Sequence, residues 1–238
     1  MLRSTGDPTT AIGLKRGALA IARADPEARA ADWPIGRWIP ALLTDLGHLL
    51  LEAGQENEGR TAAEEALAIR RDAGQPAGIA HALAALVQIE DSAGRIDRAY
   101  GLAREGLGQF EVAGEHDQET VGLRAAVSEF ELLLGRPLAA VETLASAVEG
   151  TRGTKDVANE ATVLRVGTAL ALSFGQAERS MMLLSAVERL SEETGVLWRS
   201  RIEVERDRAS VALPRRHSPT RRWHVRPRRG EGRRSSFC

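Results

Sequence analysis

Glycine falls in this chain at intervals that leave little freedom in the fold. One set stands at Gly54, Gly94, Gly135 and Gly175, spaced 40, 41 and 40 residues apart; a second stands at Gly74, Gly114, Gly153 and Gly195, spaced 40, 39 and 42. A fixed period of this size marks a repeat architecture, in which each unit buries its apolar face only by stacking on its neighbours. The text between the glycines is helical. The residues 12, 8, 5 and 1 before each first-set glycine are Leu42, Leu46, Leu49, Ala53; Ala82, Leu86, Ile89, Ala93; Leu123, Val127, Phe130, Leu134; and Val163, Gly167, Leu170, Phe174. Spacings of four, three and four place each set on one helix face. All but Gly167 are alanine or larger apolar residues, so these sets are the expected core.

The second halves align as well. Nine residues after the first-set glycine stand Ala63, Ala103, Leu144 and Leu184, and twelve after it Ala66, Gly106, Ala147 and Val187. Small residues there let two helix backbones approach. Glycine closing each helix is the usual C-cap choice, since the left-handed conformation costs it no Cβ clash. The expected fold is all-α: an α-solenoid of about four antiparallel helix pairs with a period near 40 residues, a leading half-repeat helix and a disordered basic tail. The expected domains are residues 1–35 (leading helix and inserted loop), 36–212 (helical repeats) and 213–238 (Arg/Pro-rich tail).

The leading helix has a register of its own. Ala18-Leu19-Ala20-Ile21 recurs as Ala66-Leu67-Ala68-Ile69, which aligns residues 8–24 with the second helix of a pair. Its first-helix partner is missing, so the chain begins either with a capping element or as a piece cut from a longer one. An apolar stripe at Ile12, Leu19 and Ala22 is then expected to be exposed, with oligomerisation through that open end. Trp33 and Trp38 are expected to pack over the open end of the first repeat, and Met181 and Met182 to fill core. Asp97 and Asp117 read as partial helix caps.

Gly47, Gly54, Ala63 and Ala66, with the run EEALAIRRDAGQPAGIAHALAALVQIEDSAGRIDRA, resemble the tetratricopeptide (TPR) repeat over residues 36–195. The usual TPR period is about 34 residues, and the aromatic anchors of that pattern are mostly Leu or Ala here. The resemblance implies a concave groove lined by first helices, holding a protein or peptide. Matching register puts Thr44, His48, His81, Gln88, Glu129 and Arg165 in it. A second resemblance starts at Leu183. Leu183, Leu184, Ala186, Glu188, Leu190, Gly195, Glu205 and Arg206 are similar to the end of the repeat region in large bacterial LuxR-type and MalT-like regulators and related ATPase regulators. It implies an interaction module, a C-terminal fragment of a signalling or transcriptional regulator.

Chemistry is sparse by comparison. No G-x-x-x-x-G-K-[ST], H-E-x-x-H or G-x-S-x-G occurs, and no Gly-Lys dipeptide exists to seat a phosphate. No enzyme, catalytic residue, cofactor or metal site is expected. His48 and His81, both on first helices, read as polar surface, and the adjacent acids Glu64-Glu65 and Glu90-Asp91 as solvated faces. The one cysteine, Cys238, excludes an internal disulfide. No apolar run is long enough to span a bilayer, so a cytoplasmic location and no membrane partner are expected.

The net charge of −1 conceals a basic tail. Residues 214–238 hold nine arginines against Glu231 alone, leaving 23 basic and 32 acidic residues in the remainder. That tail reads as disordered, as a nucleic-acid arm with Trp223 and His224 stacking on bases, or as text out of frame in an Arg- and Ala-rich coding sequence. A nucleic-acid-associated repeat protein using this tail is the alternative to the interaction scaffold.

Overall fold

The computed structural model describes residues 8–24, 38–114, 118–152 and 156–194. Among these residues nine helices follow one another: α1 (Pro8–Ala24), α2 (Trp38–Glu52), α3 (Glu56–Asp72), α4 (Pro76–Ser92), α5 (Ile96–Ala113), α6 (Gln118–Leu133), α7 (Pro137–Thr151), α8 (Val157–Ser173) and α9 (Ala177–Thr194). They pack as sequential antiparallel pairs, α2 with α3, α4 with α5, α6 with α7 and α8 with α9, and each pair stacks on the next. α1 packs on α2 from the other side. The all-α solenoid of four pairs plus a leading helix is therefore the observed fold.

The glycine punctuation does the work its period implies. Gly54, Gly94, Gly135 and Gly175 have φ between 71° and 76°, the left-handed region that side chains with a Cβ avoid. Each donates its N–H to the carbonyl three residues back, and the next residue donates to the carbonyl five residues back. Gly54 bonds Leu51 and Gln55 bonds Leu50, at 3.0 and 2.8 Å; Gly94 bonds Asp91 and Arg95 bonds Glu90, both at 2.9 Å. This paired bonding is the Schellman motif. It turns the chain within two residues and fixes the angle between the helices of a pair. Gly114 adopts φ 76° at the end of α5. Gly153 and Gly195 lie outside the described residues.

Packing follows the small-residue register. Ala63, Ala66, Ala103 and Ala147 are fully buried. A Cβ added to Gly59 would stand 2.9 Å from the Gly47 carbonyl oxygen, and one added to Gly47 3.1 Å from that of Gly59. The backbones of α2 and α3 touch because both positions are glycine. Gly167, the exception in the apolar sets, faces Leu183 Cδ1 and Leu144 Cδ2, so larger neighbours fill the room a side chain would take. Three successive clusters of buried residues form the core, handed on from Ile12–Ile89 through Ala80–Phe130 to Val121–Leu170. Each fully buried Leu or Ile in them contributes on the order of 1.5–3 kcal/mol.

Six expectations change. The residue just before the glycine is not core: Phe174 is 45 % exposed and Ala53 is exposed, because the helix ends there and the position faces the turn. Leu42 and Leu49 are only half-buried. Ile12, Leu19 and Ala22 are buried, since α2 covers them; the exposed apolar residues of α1 are Leu14 and Ile21 on its far side. Met181 and Met182 are each 69 % exposed, because α9 turns Ser180 and Val187 inward instead. Trp38 opens α2 and is 63 % exposed. Asp97 caps nothing: the N-cap of α5 is Arg95, and Asp97 lies in the first turn, where an acid favours the helix dipole. The described cap is Asp156, whose carboxylate accepts from the amides of Ala158 and Asn159 at 3.0 and 3.1 Å. Trp33, Asp117 and residues 213–238 lie outside the described residues.

Candidate functional site

Two layers run along the stack. First helices touch across pairs, α2 on α4 and α6 on α8, whereas the second helices α3, α5, α7 and α9 make no comparable contact with one another. The layer with the closer helices is the inner one. The groove expected from the sequence is thus the face formed by α2, α4, α6 and α8.

On that face the candidate residues stand in pairs. His48 of α2 lies beside Gln88 of α4, which influences its ionisation. Glu129 of α6 accepts two bonds from Arg165 of α8, at 3.1 and 2.8 Å, with both side chains about one-seventh exposed. A bidentate, partly dry Arg–carboxylate pair is among the stronger polar contacts available. Burial holds the His48 imidazole below its ordinary pKa, against the opposing pull of Gln88, Asp45 and Glu52. Burial thus favours the uncharged ring. Thr44 bonds back to the Pro40 carbonyl within α2. His81 stands apart from this row: it meets the Phe110 ring of α5 edge-on, with centroids 5.2 Å apart. His48 and His81 therefore have different partners. No group of three or more His, Cys, Asp or Glu among the described residues could hold a metal ion.

The strongest electrostatic feature is one the sequence reading placed on the surface. Glu90 is fully buried. It lies four residues before Gly94, so its carbonyl closes the Schellman turn and its side chain sits beneath Arg95. Arg95 Nε donates to its carboxylate at 2.5 Å, Arg60 of α3 donates to the other oxygen, and Arg98 Nε lies at 3.5 Å. Glu56 bonds Arg60 and Arg95 at 2.9 and 2.7 Å, closing the network. Burial opposes ionisation of Glu90, but the bonds from Arg95 and Arg60 and the charges of Arg60 and Arg98 outweigh it, so its pKa lies below the ordinary value. The Glu56 carboxyl is lowered by Arg95 and then Arg60, and Arg95 is raised by Glu56 and Glu90. The next junction repeats the register. Glu131 stands four before Gly135, is 4 % exposed, and accepts from Thr143 at 2.8 Å and Tyr100 at 3.4 Å. Arg136 lies over the Tyr100 ring instead of on Glu131. The recurring pattern Glu-x-x-x-Gly-Arg at 90–95 and 131–136 was the available signal.

These junctions are structural locks, and the row of first helices is the surface they hold. Both features suit a stack similar to known structures. The crystal structure of BtubC (BKLC) from P. vanneervenii aligns with a TM-score of 0.61 and 18% identity, over 98% of this chain and 82% of its own. That of the kinesin light chain nearly identical TPR-like repeats from Podosopora anserina aligns with a TM-score of 0.55 and 16% identity, over 79% of this chain and 88% of its own. A single-residue variant of the latter aligns at 0.56 and 17%, over the same shares. The fold is a TPR-like helical repeat. No family model matches the chain, and no curated protein matches it. Identity this low bears on the fold alone. Within the TPR-like fold, no helix among the described residues is long and apolar enough to cross a membrane.

Proposed function

We propose that this chain is a protein-interaction scaffold whose first-helix face takes a protein or peptide partner. The observation that carries this reading is the row of first helices, in which α2 packs on α4 and α6 on α8. Side chains of mixed polarity, from Thr44 and His48 through Gln88 to Glu129 and Arg165, lie on consecutive first helices, with Arg165 of α8 bonded to Glu129 of α6 and Thr44 bonded back to the Pro40 carbonyl. A preformed, rigid surface lowers the ordering cost of binding. TPR-like folds typically serve protein–protein interaction, which supports the same reading. The chemistry of the row is neither uniformly basic nor acidic, which favours a peptide or helix over a polyanion.

The finer reading is that the scaffold belongs to a larger signalling or transcriptional regulator. It rests on the similarity of Leu183, Leu184, Ala186, Glu188 and Leu190 to such regulators, with Gly195, Glu205 and Arg206 lying outside the described residues. The test of the scaffold is a partner-binding assay with Gln88→Arg. Gln88 is exposed on the inner row, so the change adds bulk and charge without emptying the core. The expected result is a loss of affinity of at least about tenfold. Unchanged affinity for a verified direct partner would remove the first-helix face as its site. Replacing His48 and Arg165 by alanine is a weaker test, since it removes the two bonds that Glu129 accepts from Arg165 and alters packing as well as surface.

A further inference from the structure

The outer face of the second helices changes character halfway along the stack. Count from the first-set glycines, with Gly6 as their equivalent before α1. In the first two junctions the side chain ten residues on stands against the one four residues on in the next unit, and the one seventeen on against the one eleven on. Arg16 pairs with Glu58 at 2.5 Å and Arg23 with Glu65; Glu64 and Arg98 stand 4.0 Å apart, and Arg71 pairs with Glu105 at 2.6 Å. The same positions in the last two junctions hold Arg104 and Ala139, Glu111 and Ser146, Ala145 and Arg179, and Arg152 and Ala186. Each of those rungs lacks one of its two charges.

Apolar surface bordered by acids takes the place of the rungs. Leu138, Val141 and Val148 of α7 are 72, 41 and 37 % exposed, and Met182 of α9 is 69 % exposed. Spacings of three and seven put the three α7 residues on one side of that helix. α7 carries Glu142 and Glu149 and no arginine or lysine. Together with α9 and Arg152 it holds six acids against three arginines, a balance of −3. Glu149 pairs with Arg152 and Glu193 with Arg189. Glu142, Glu178, Glu188 and Glu192 enter no ion pair among the described residues, whereas Glu58, Glu65 and Glu105 in the first two junctions are each held by an arginine.

An exposed apolar strip with carboxylates along it suits arginine in particular. The side chain lays its methylene stem on apolar surface and keeps its guanidinium at the edge, where it can take a carboxylate through two parallel bonds. The chain carries such an occupant. Residues 214–238 hold nine arginines, Trp223 and Phe237 against a single acid, a balance of +8. Nineteen residues separate Thr194, the last of α9, from Pro214. Extended, they reach about 60 Å, more than twice the length of about 27 Å that α9 itself spans. We propose that the arginine tail, residues 214–238, docks on the outer face of α7 and α9 of its own chain. Its arginine stems lie on Val141, Val148 and Met182, and its guanidinium groups meet Glu142, Glu178 and Glu188. The tether holds the tail near this face at an effective concentration in the millimolar range, which favours the chain's own tail over that of a second copy. This face lies on the layer opposite the first-helix row and stands or falls without it.

The test uses the chain's one cysteine, Cys238, which takes a nitroxide label at the end of the tail in the full-length protein. Methyl NMR reads the broadening at Val141, Val148, Met181 and Met182, with the ascorbate-reduced label as reference. At about 10 mM salt, where charges are felt over about 30 Å, those methyls are expected to lose at least about half their intensity. Leu14 and Ile21, at the other end of the stack, keep theirs. At about 1 M salt, where the range falls to about 3 Å, the loss is expected to disappear. Glu142→Lys/Glu188→Lys turns the balance of the face from −3 to +1 and removes most of the broadening at low salt. Asp72→Lys/Asp97→Lys, the same change in charge at exposed positions of α3 and α5, leaves it in place. The proposal is overturned by an absence of broadening at low salt, by broadening that salt or the Glu142/Glu188 reversal leaves unchanged, or by its equal loss in the Asp72/Asp97 protein. It is equally overturned if isotope-labelled protein with a blocked cysteine is broadened as strongly by added nitroxide-labelled protein, since the tail then docks on a second copy.

Discussion

Replacing Glu90 by glutamine removes the one charge around which α3, α4 and α5 meet. The native carboxylate is fully buried, and Arg60 beside it is 18 % exposed. Removing one partner of a fully buried pair costs about 3–5 kcal/mol. Two features reduce that here. Arg60 keeps Glu56 at 2.9 Å, and Arg95 and Arg98 are 42 % and 59 % exposed, so water takes over part of their solvation. The expected loss is about 2–3 kcal/mol. For a chain of this size that lowers Tm by about 4–12 °C. Urea unfolding followed by far-UV circular dichroism measures it. The register supplies its own repair, because Leu50 and Ile12 occupy, one junction earlier, the places of Glu90 and Arg60, and both are buried in an apolar cluster. Glu90→Leu with Arg60→Ile is expected to recover at least about half of the loss. The sign with pH is fixed by the lowered pKa of Glu90. Its contribution is fully present above its ordinary value of 4.5 and is lost as pH falls through the lower folded value, so the gap between native and Glu90→Gln proteins narrows in that acid range. A Glu90→Gln protein within about 0.5 kcal/mol of native at pH 7 would refute the lock.

Three further outcomes follow from the same geometry. Gly59→Ala drives a Cβ to 2.9 Å from the Gly47 carbonyl and is expected to cost about 1–3 kcal/mol, whereas Gly101→Ala, with nothing within 4 Å, gains about 0.5–1 kcal/mol; chemical denaturation of the two variants side by side measures both. Arg165→Ala removes both bonds that the 15 %-exposed Glu129 accepts from it and is expected to cost about 1–3 kcal/mol, while Glu129→Gln/Arg165→Gln is expected to cost less; thermal unfolding distinguishes them. If the arginine tail carries a nucleic-acid function, DNA binding falls steeply with salt and disappears on deleting residues 214–238; filter binding at two salt concentrations decides it.

How much of this was legible in the text depends on the range of the cause. The glycine period and the small residues at Ala63, Ala66, Ala103 and Ala147 are local and repeat, so they specify the fold directly. The first helix was assigned its correct register from Ala18–Ile21, yet the wrong stripe was expected to be bare. Ile12, Leu19 and Ala22 are covered by α2, because a second-helix element needs only the following first helix to bury that side. Glu90 escaped because a lone acid beside Asp91 looks solvated. Its burial depends on Arg60, thirty residues earlier, and on a turn that brings Arg95 over it. The inner-row residues His48, Gln88, Glu129 and Arg165 were individually visible as candidates; that Arg165 bonds Glu129 followed only from stacking.

The central claim is that partners meet the first-helix layer, and site-specific photocrosslinking tests it most directly. Benzoylphenylalanine is placed at position 88 on α4 in one protein and at position 104 on α5 in another, both exposed positions. The account predicts that a verified direct partner crosslinks from position 88 and not from position 104. Crosslinking from position 104 alone would contradict it and move the interaction to the second-helix side.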